Sequence, residues 1–264
     1  MSAGPADLLQ PLRDEPSSSA VLSDVDGTLA PIVREPGDAE VLTAARDVLA
    51  RIAGRYAVVA CVSGRPAEDA RRLVGVEGVT YLGNHGLERL DPGASVARLA
   101  AALEGHEKDA ARFLAGLGDG RVSSAGLRVE DKGPIRALHW RGAEDEPAAE
   151  RAAKEIAAEA EQAGLATHRG RKVLELRPPV RFDKGVAIGE LLDDHPVRNA
   201  LYAGDDRTDL DAFRALRERA TAGALDTAVC VAIGSDEAPA EVSAEGDIIV
   251  PDPPSFATLL SELA

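Results

Sequence analysis

The chain has 264 residues, a formal net charge of −15 and 45% hydrophobic residues, of which few are aromatic (3% of the chain). That length allows one large domain or two small ones around a core of Ala, Val, Leu and Ile, and the charge argues against a nucleic-acid face or an anionic membrane as partner. No apolar run approaches the roughly 20 residues a membrane helix needs, and the N-terminus lacks the basic start and apolar stretch of a secretory signal.

In chain order, residues 1–19, rich in Pro, Ser and charge, are expected to form a mobile leader. Ala20–Ser23 reads as a strand ending at Asp24, followed by a helix at 39–54 closed by Gly54. A nearly continuous apolar strand is expected at 56–62, as in a parallel sheet covered on both faces. Pro66 fits the first position of a helix at 66–74, and strand 79–82 ends in the turn Gly83-Asn84-His85-Gly86. This alternation predicts an α/β fold with a doubly wound parallel sheet.

The rhythm changes near residue 95. A helix is expected at 95–117, strands at 122–131 and 135–141, a helix at 146–163 and strands at 165–168 and 172–177, which together make an α+β layer. Alternation resumes after Pro178-Pro179 with helix 183–194, strand 199–203, helix 209–219, strands 228–233 and 248–250, and a helical tail at 255–263. The expected organisation is one α/β domain of 20–95 and 178–264 with a second, α+β domain inserted at 96–177. Cys61 and Cys230 each lie in an apolar strand-like run, so two buried thiols are expected rather than a disulfide, in keeping with a cytoplasmic protein.

Four strand-to-helix junctions carry chemistry. At the first, Asp24-Val25-Asp26-Gly27-Thr28 places two carboxylates on one side of a strand end, at the sheet edge where open α/β folds bind ligands. Two such carboxylates repel each other unless a cation or proton lies between them; the alternative is an Asx turn closing the strand. An EF-hand loop is a poor match, because Gly27 is fourth in the motif rather than sixth. The second, Gly204-Asp205-Asp206-Arg207-Thr208-Asp209, is either an acidic helix cap or, with the first, a Mg²⁺ site. At the third, Ser63, Gly64 and Arg65 form either a phosphate seat or an ordinary helix cap. At the fourth, Lys184 either neutralises a phosphate as a point charge or is a solvated surface residue.

The order of these junctions resembles the haloacid dehalogenase-like phosphatases. SDVDGTLAPI at 23–32, VSGRP at 62–66, GNHGLE at 83–88, RVEDK at 128–132, LHWR at 138–141, VLELRP at 173–178, DKG at 183–185 and GDDRTDLDAF at 204–213 are similar to the trehalose-6-phosphate phosphatases, over roughly residues 20–260. The resemblance implies Asp24 as nucleophile through an aspartyl-phosphate, and Asp26 as general acid and then base. It implies Ser63 and Lys184 on the phosphoryl group. Mg²⁺ would be held by Asp24, the backbone carbonyl of Asp26 and Asp205, with Asp206 and Asp209 orienting metal-bound waters or Lys184.

The resemblance further implies a mobile cap that closes over trehalose 6-phosphate. Glu130, Lys132 and Glu175 would reach the sugar hydroxyls; a solvated strand face is the alternative for each. Asn84 and His85 either contact ligand or shape their turn. Trp140 stands where Tyr is more usual and is read as a packing residue, and Asp183 stands where a small or amide residue is commoner. A monomer without nucleic-acid or membrane partners is expected. The competing readings are a phosphatase of another sugar phosphate, of the sucrose or mannosyl-glycerate type, a mutase, and a non-catalytic sugar-phosphate sensor.

Overall fold

The computed structural model describes residues 4–33, 36–170, 172–234 and 239–264. Their strands are β1 Ser19–Asp24, β2 Val58–Val62, β3 Thr80–Gly83, β4 Glu88–Leu90, β5 Arg98–Leu99, β6 Arg128–Lys132, β7 Ile135–His139, β8 Ala166–Gly170, β9 Val173–Arg177, β10 Asn199–Gly204, β11 Thr227–Ile233 and β12 Ile248–Val250. The helices are α1 Pro5–Asp14, α2 Thr43–Ile52, α3 Ala67–Val74, α4 Asp109–Leu117, α5 Asp119–Ser124, α6 Glu146–Gln162, α7 Lys184–Asp193, α8 Asp209–Thr221, α9 Ala240–Glu245 and α10 Pro253–Ser261. Two compact units result: Met1–Arg98 with Phe182–Ala264, and Leu99–Arg181.

The first unit is built on a sheet of order β12-β11-β10-β1-β2-β3-β4-β5. From β12 to β3 every neighbouring pair is parallel, and β4 then runs antiparallel to β3. All six residues of β1 are buried. Alternation explains this: Val21 joins a core with Leu49 of α2 and Phe256 of α10, whereas Ala20 and Leu22 join another with Ile188 of α7 and Phe213 of α8. Both faces of the strand are covered, so both sets of side chains must be apolar.

Among the described residues, the segment expected to be a mobile leader carries a packed helix, and residues 1–3 of that expectation lie outside the described residues. Residues 5–14 form α1, and Leu9 and Leu12 are buried in the core that holds Phe256. The i, i+3 spacing of Leu9 and Leu12 supplies a helical stripe, which Pro11 within it obscures in the sequence. Pro66 also differs from expectation: with φ −52° and ψ 144° it precedes α3 rather than opening it.

The second unit carries an antiparallel sheet of order β6-β7-β9-β8. Leu138, Leu174 and Leu176 pack with Ala149, Ala153, Ile156 and Ala160 of α6 and with Trp140, so Trp140 is a packing residue. The helix expected at 95–117 begins only at Asp109. Gly105 at φ +83° interrupts it, and Ala101–Leu103 is a 3-10 turn. The strand expected at 122–131 begins at Arg128, because 119–124 is helical and Gly126 turns the chain at φ +70°. Cys61 and Cys230 are free, buried thiols. No helix among the described residues is long and apolar enough to cross a membrane.

Candidate active site

The alternation that sends Ala20 and Leu22 toward α7 sends Asp24 to the same face. Helix α7 opens with Lys184, and its cap is Asp183, which accepts a hydrogen bond from Val186 N at 2.8 Å. The unusual acid at 183 is therefore a helix cap. Lys184 Nζ lies 2.9 Å from Asp24 Oδ1 and 2.7 Å from Asp209 Oδ1. Strand β10 delivers Asp205 beside them, where Thr28 Oγ1 donates to Asp205 Oδ1 at 3.1 Å. Gly27, at φ +87°, makes room: a Cβ there would lie 2.1 Å from Asp205 Oδ2.

Asp24, Asp205 and Asp209 are buried and each offers an oxygen within 4.8 Å of the others. One ammonium faces three carboxylates, a deficit of positive charge in a buried site. Burial raises the Asp24 carboxyl well above its usual range, against the pull of Lys184 and reinforced by Asp209 and Asp205. Burial and then Asp209 push Asp205 up to about 7. Lys184 is disfavoured by burial, but Asp209 and Asp24 outweigh that and hold it charged. A hard divalent cation with oxygen ligands fits this donor set.

Asp26 is half-exposed beyond the turn that Gly27 makes, and Arg65 binds it in a fork, Nε to Oδ2 at 2.8 Å and a terminal nitrogen to Oδ1 at 2.7 Å. Arg65, expected on the phosphate, is thus directed at Asp26. Its backbone N donates to Ser63 Oγ at 3.1 Å, which fixes the buried hydroxyl at the end of β2. Asp206 is exposed and its carboxylate accepts Arg207 N at 2.6 Å, so it does not join the buried cluster.

The 84–86 turn is tied to this loop. Asn84 N donates to Arg65 O at 2.8 Å and His85 N to Ser63 O at 2.9 Å. Asn84 is buried with its amide donating to Glu88 Oε1 at 2.8 Å, while Glu88 Oε2 accepts Ala67 N at 2.9 Å. These contacts tie Asn84 into the turn. His85 stacks close to Gly64, where a Cβ would come within 2.8 Å of the imidazole.

In the second unit the registers Glu130↔Ala137, Ala137↔Glu175 and Lys132↔Ile135 put Glu130, Lys132 and Glu175 on one face of the sheet. Glu175 is buried. Lys132 Nζ meets its Oε1 at 3.0 Å, and Arg177 meets its Oε2 at 2.9 and 2.6 Å. Glu130 Oε2 pairs with His139 Nε2 at 2.7 Å, and that hydrogen bond holds its carboxyl below the usual range.

Residues 22–247 match the trehalose-phosphatase family. The chain belongs to that family. It is 37% identical over 205 residues to the trehalose-phosphate phosphatase of Mycobacterium marinum, covering 75% of this chain and 51% of that protein. It is 38% identical over 208 residues to an uncharacterized glycosyl hydrolase of Mycobacterium tuberculosis, covering 75% of this chain and 15% of that protein. The chain thus spans about half or less of the length of these relatives. The crystal structure of a trehalose-6-phosphate phosphatase related protein superposes with a TM-score of 0.70 at 25% identity, over 92% of this chain and 96% of that one.

Against the family's motifs, several partners emerge only in three dimensions. Thr28 and Tyr202 bind the acids from other elements, Glu88 anchors the 84–86 turn, and His139 and Arg177 engage the two glutamates. Thr28, Glu88, His139 and Arg177 lie inside the DGT, GNHGLE, LHWR and VLELRP motifs, which is the one signal that could have found them, and Tyr202 lies in none of the motifs.

Proposed function

We propose that the chain is a phosphatase that hydrolyses trehalose 6-phosphate to trehalose and phosphate. The observation that carries this reading is the buried Asp24–Lys184–Asp209–Asp205 cluster at the C-terminal edge of a parallel sheet, in a chain of the trehalose-phosphatase family. Lys184 engages Asp24 Oδ1, so attack on phosphorus is assigned to Oδ2. The Asp24 oxygen bonds to phosphorus while the bond to the sugar oxygen breaks, and Asp26 delivers a proton to that oxygen. A water then attacks the aspartyl-phosphate as Asp26 takes its proton, and the bond from phosphorus to Asp24 breaks. Arg65 orients Asp26 between these steps, and Ser63, Gly64 and Lys184 hold the phosphoryl oxygens.

Asp24, Asp205 and the backbone carbonyl of Asp26 are assigned to Mg²⁺. Bound there, the ion would neutralise the phosphate oxygens and the charge that develops on them. Glu130, Lys132 and Glu175 are assigned to the sugar hydroxyls, since a fixed set of carboxylates and an ammonium suits a polyol.

Phosphate release from trehalose 6-phosphate, sucrose 6-phosphate, glucose 6-phosphate and mannosyl-3-phosphoglycerate, each with Mg²⁺ and with EDTA, tests this reading. Mg²⁺-dependent release from trehalose 6-phosphate is expected. Release chiefly from another ester would discard the sugar assignment, and indifference to EDTA would discard the metal.

A further inference from the structure

The acids of the cluster do not have equal capacity left. A carboxylate has about four acceptor positions. Asp209 fills all of its own: Oδ1 accepts Lys184 Nζ at 2.7 Å and the Tyr202 hydroxyl at 2.6 Å, while Oδ2 accepts the backbone N of Asp205 at 3.0 Å and of Asp206 at 2.9 Å. Asp205, by contrast, accepts Thr28 at one oxygen, and its other oxygen faces the notch at Gly27.

Tyr202 is held to do this. It is fully buried on β10, on the α8 side of the sheet. Its ring packs edge-on against Phe213, centroids 6.0 Å apart at 77°, while its hydroxyl reaches Asp209. Asp209 and Phe213 are i, i+4 on α8, one turn apart on the same face, so a single helix grips Tyr202 at both ends. Burial, and the neighbouring Asp209 and Asp24, keep the hydroxyl protonated and therefore a donor. A residue that only filled this space could be Phe.

We propose that Tyr202 is a positioning residue that reserves Asp209 for Lys184: by occupying the last acceptor position, it keeps Asp209 off the metal and holds the lysine ammonium in place for phosphate. The consequence is a division of labour, with Asp24 and Asp205 facing the cation and Asp209 facing the lysine. This inference rests on the proposed phosphate role of Lys184.

The test compares wild-type protein with Y202F, which retains the ring and its contact with Phe213. Mn²⁺ affinity is read by electron paramagnetic resonance, and inorganic phosphate affinity of the Mn²⁺-loaded protein by calorimetry. Phosphate binding and kcat/KM for trehalose 6-phosphate are expected to fall about tenfold, the scale of one hydrogen bond to a charged group. Mn²⁺ affinity is expected to hold or tighten. Unchanged phosphate affinity and kcat/KM in Y202F would overturn the proposal, as would Mn²⁺ affinity falling in step with phosphate. D209N provides a second arm that leaves Tyr202 intact: it should lose phosphate affinity and keep Mn²⁺, whereas loss of Mn²⁺ would make Asp209 a metal ligand and end the proposal. If wild-type protein hydrolyses none of the four esters, the proposed function fails, and the two binding measurements still decide the role of Tyr202.

Discussion

The two units hold acids of the same kinds in opposite electrostatic states. In the first, three buried aspartates share one lysine, and burial raises Asp24 and Asp205. In the second, Glu175 lies between Lys132 and Arg177, and Glu130 is held down by His139. One cluster lacks positive charge and the other contains its own. The first suits the capture of a cation and the chemistry of a charged phosphoryl group; the second suits presentation of fixed donors and acceptors to a neutral polyol. Residue type alone does not distinguish these uses, and the partners do.

The strongest way to break this comparison is Asp24→Asn. Hydrolysis should fall by about a thousandfold or more, as when a covalent nucleophile is removed. If the cluster is short of positive charge, the same change should also raise the thermal midpoint of the metal-free protein, because one repelling acid is gone. Phosphate release and a melting curve in EDTA read the two effects. Turnover near wild type would sink the nucleophile assignment, and a lowered midpoint would mean that repulsion among the acids does not govern the stability of this cluster.

Glu175→Gln is the matching change in the second unit. It should lower kcat/KM for trehalose 6-phosphate by roughly ten- to a hundredfold, the cost of leaving polar partners mismatched at a recognition site. Hydrolysis of p-nitrophenyl phosphate should change little. Here the melting midpoint should fall, since Lys132 and Arg177 lose their shared counter-charge. Equal losses on both esters would make Glu175 a structural residue only.

Much of this was legible along the chain and some was not, for identifiable reasons. The strand-to-helix junctions at Asp24, Ser63 and Asp205 follow from local pattern, because strands covered on both faces are short apolar runs ended by polar turns, whereas the junction at Lys184 follows Pro178-Pro179 after β9 of the antiparallel sheet. The direction of Arg65 toward Asp26, 39 residues away, is not encoded in spacing. The pairing of Tyr202 with Asp209 needs the face on which α8 lies, and that of Glu130 with His139 needs the β6–β7 register. Helix α1 is hidden by Pro11, and the 95–117 segment reads as helical because its alanines and leucines outweigh Gly105 and Gly116 in any reading of periodicity.

The smallest expected effect is one of pH, and it sharpens the comparison most directly. Burial and then Asp209 push the Asp205 carboxyl up to about 7, from an ordinary value near 3.8. Between those values the folded state binds a proton that the unfolded state has lost. Stability of the metal-free protein is therefore present at low pH and declines as pH rises toward about 7, the reverse of an ion-paired carboxylate. Asp24, raised by burial, acts in the same direction. Glu130, lowered by its bond from His139, acts in the opposite one: its contribution is lost as pH falls through its depressed value. The midpoint in EDTA should accordingly drop by a few degrees between about pH 5 and about pH 8. Mg²⁺ should reverse the drop at the upper end, because a cation takes the place of the proton. In Asp205→Asn the slope should flatten, whereas in Glu130→Gln it should persist. A slope that survives unchanged in both Asp205→Asn and Asp24→Asn would place the titrating group outside the cluster and remove the charge deficit as the property that separates the two units.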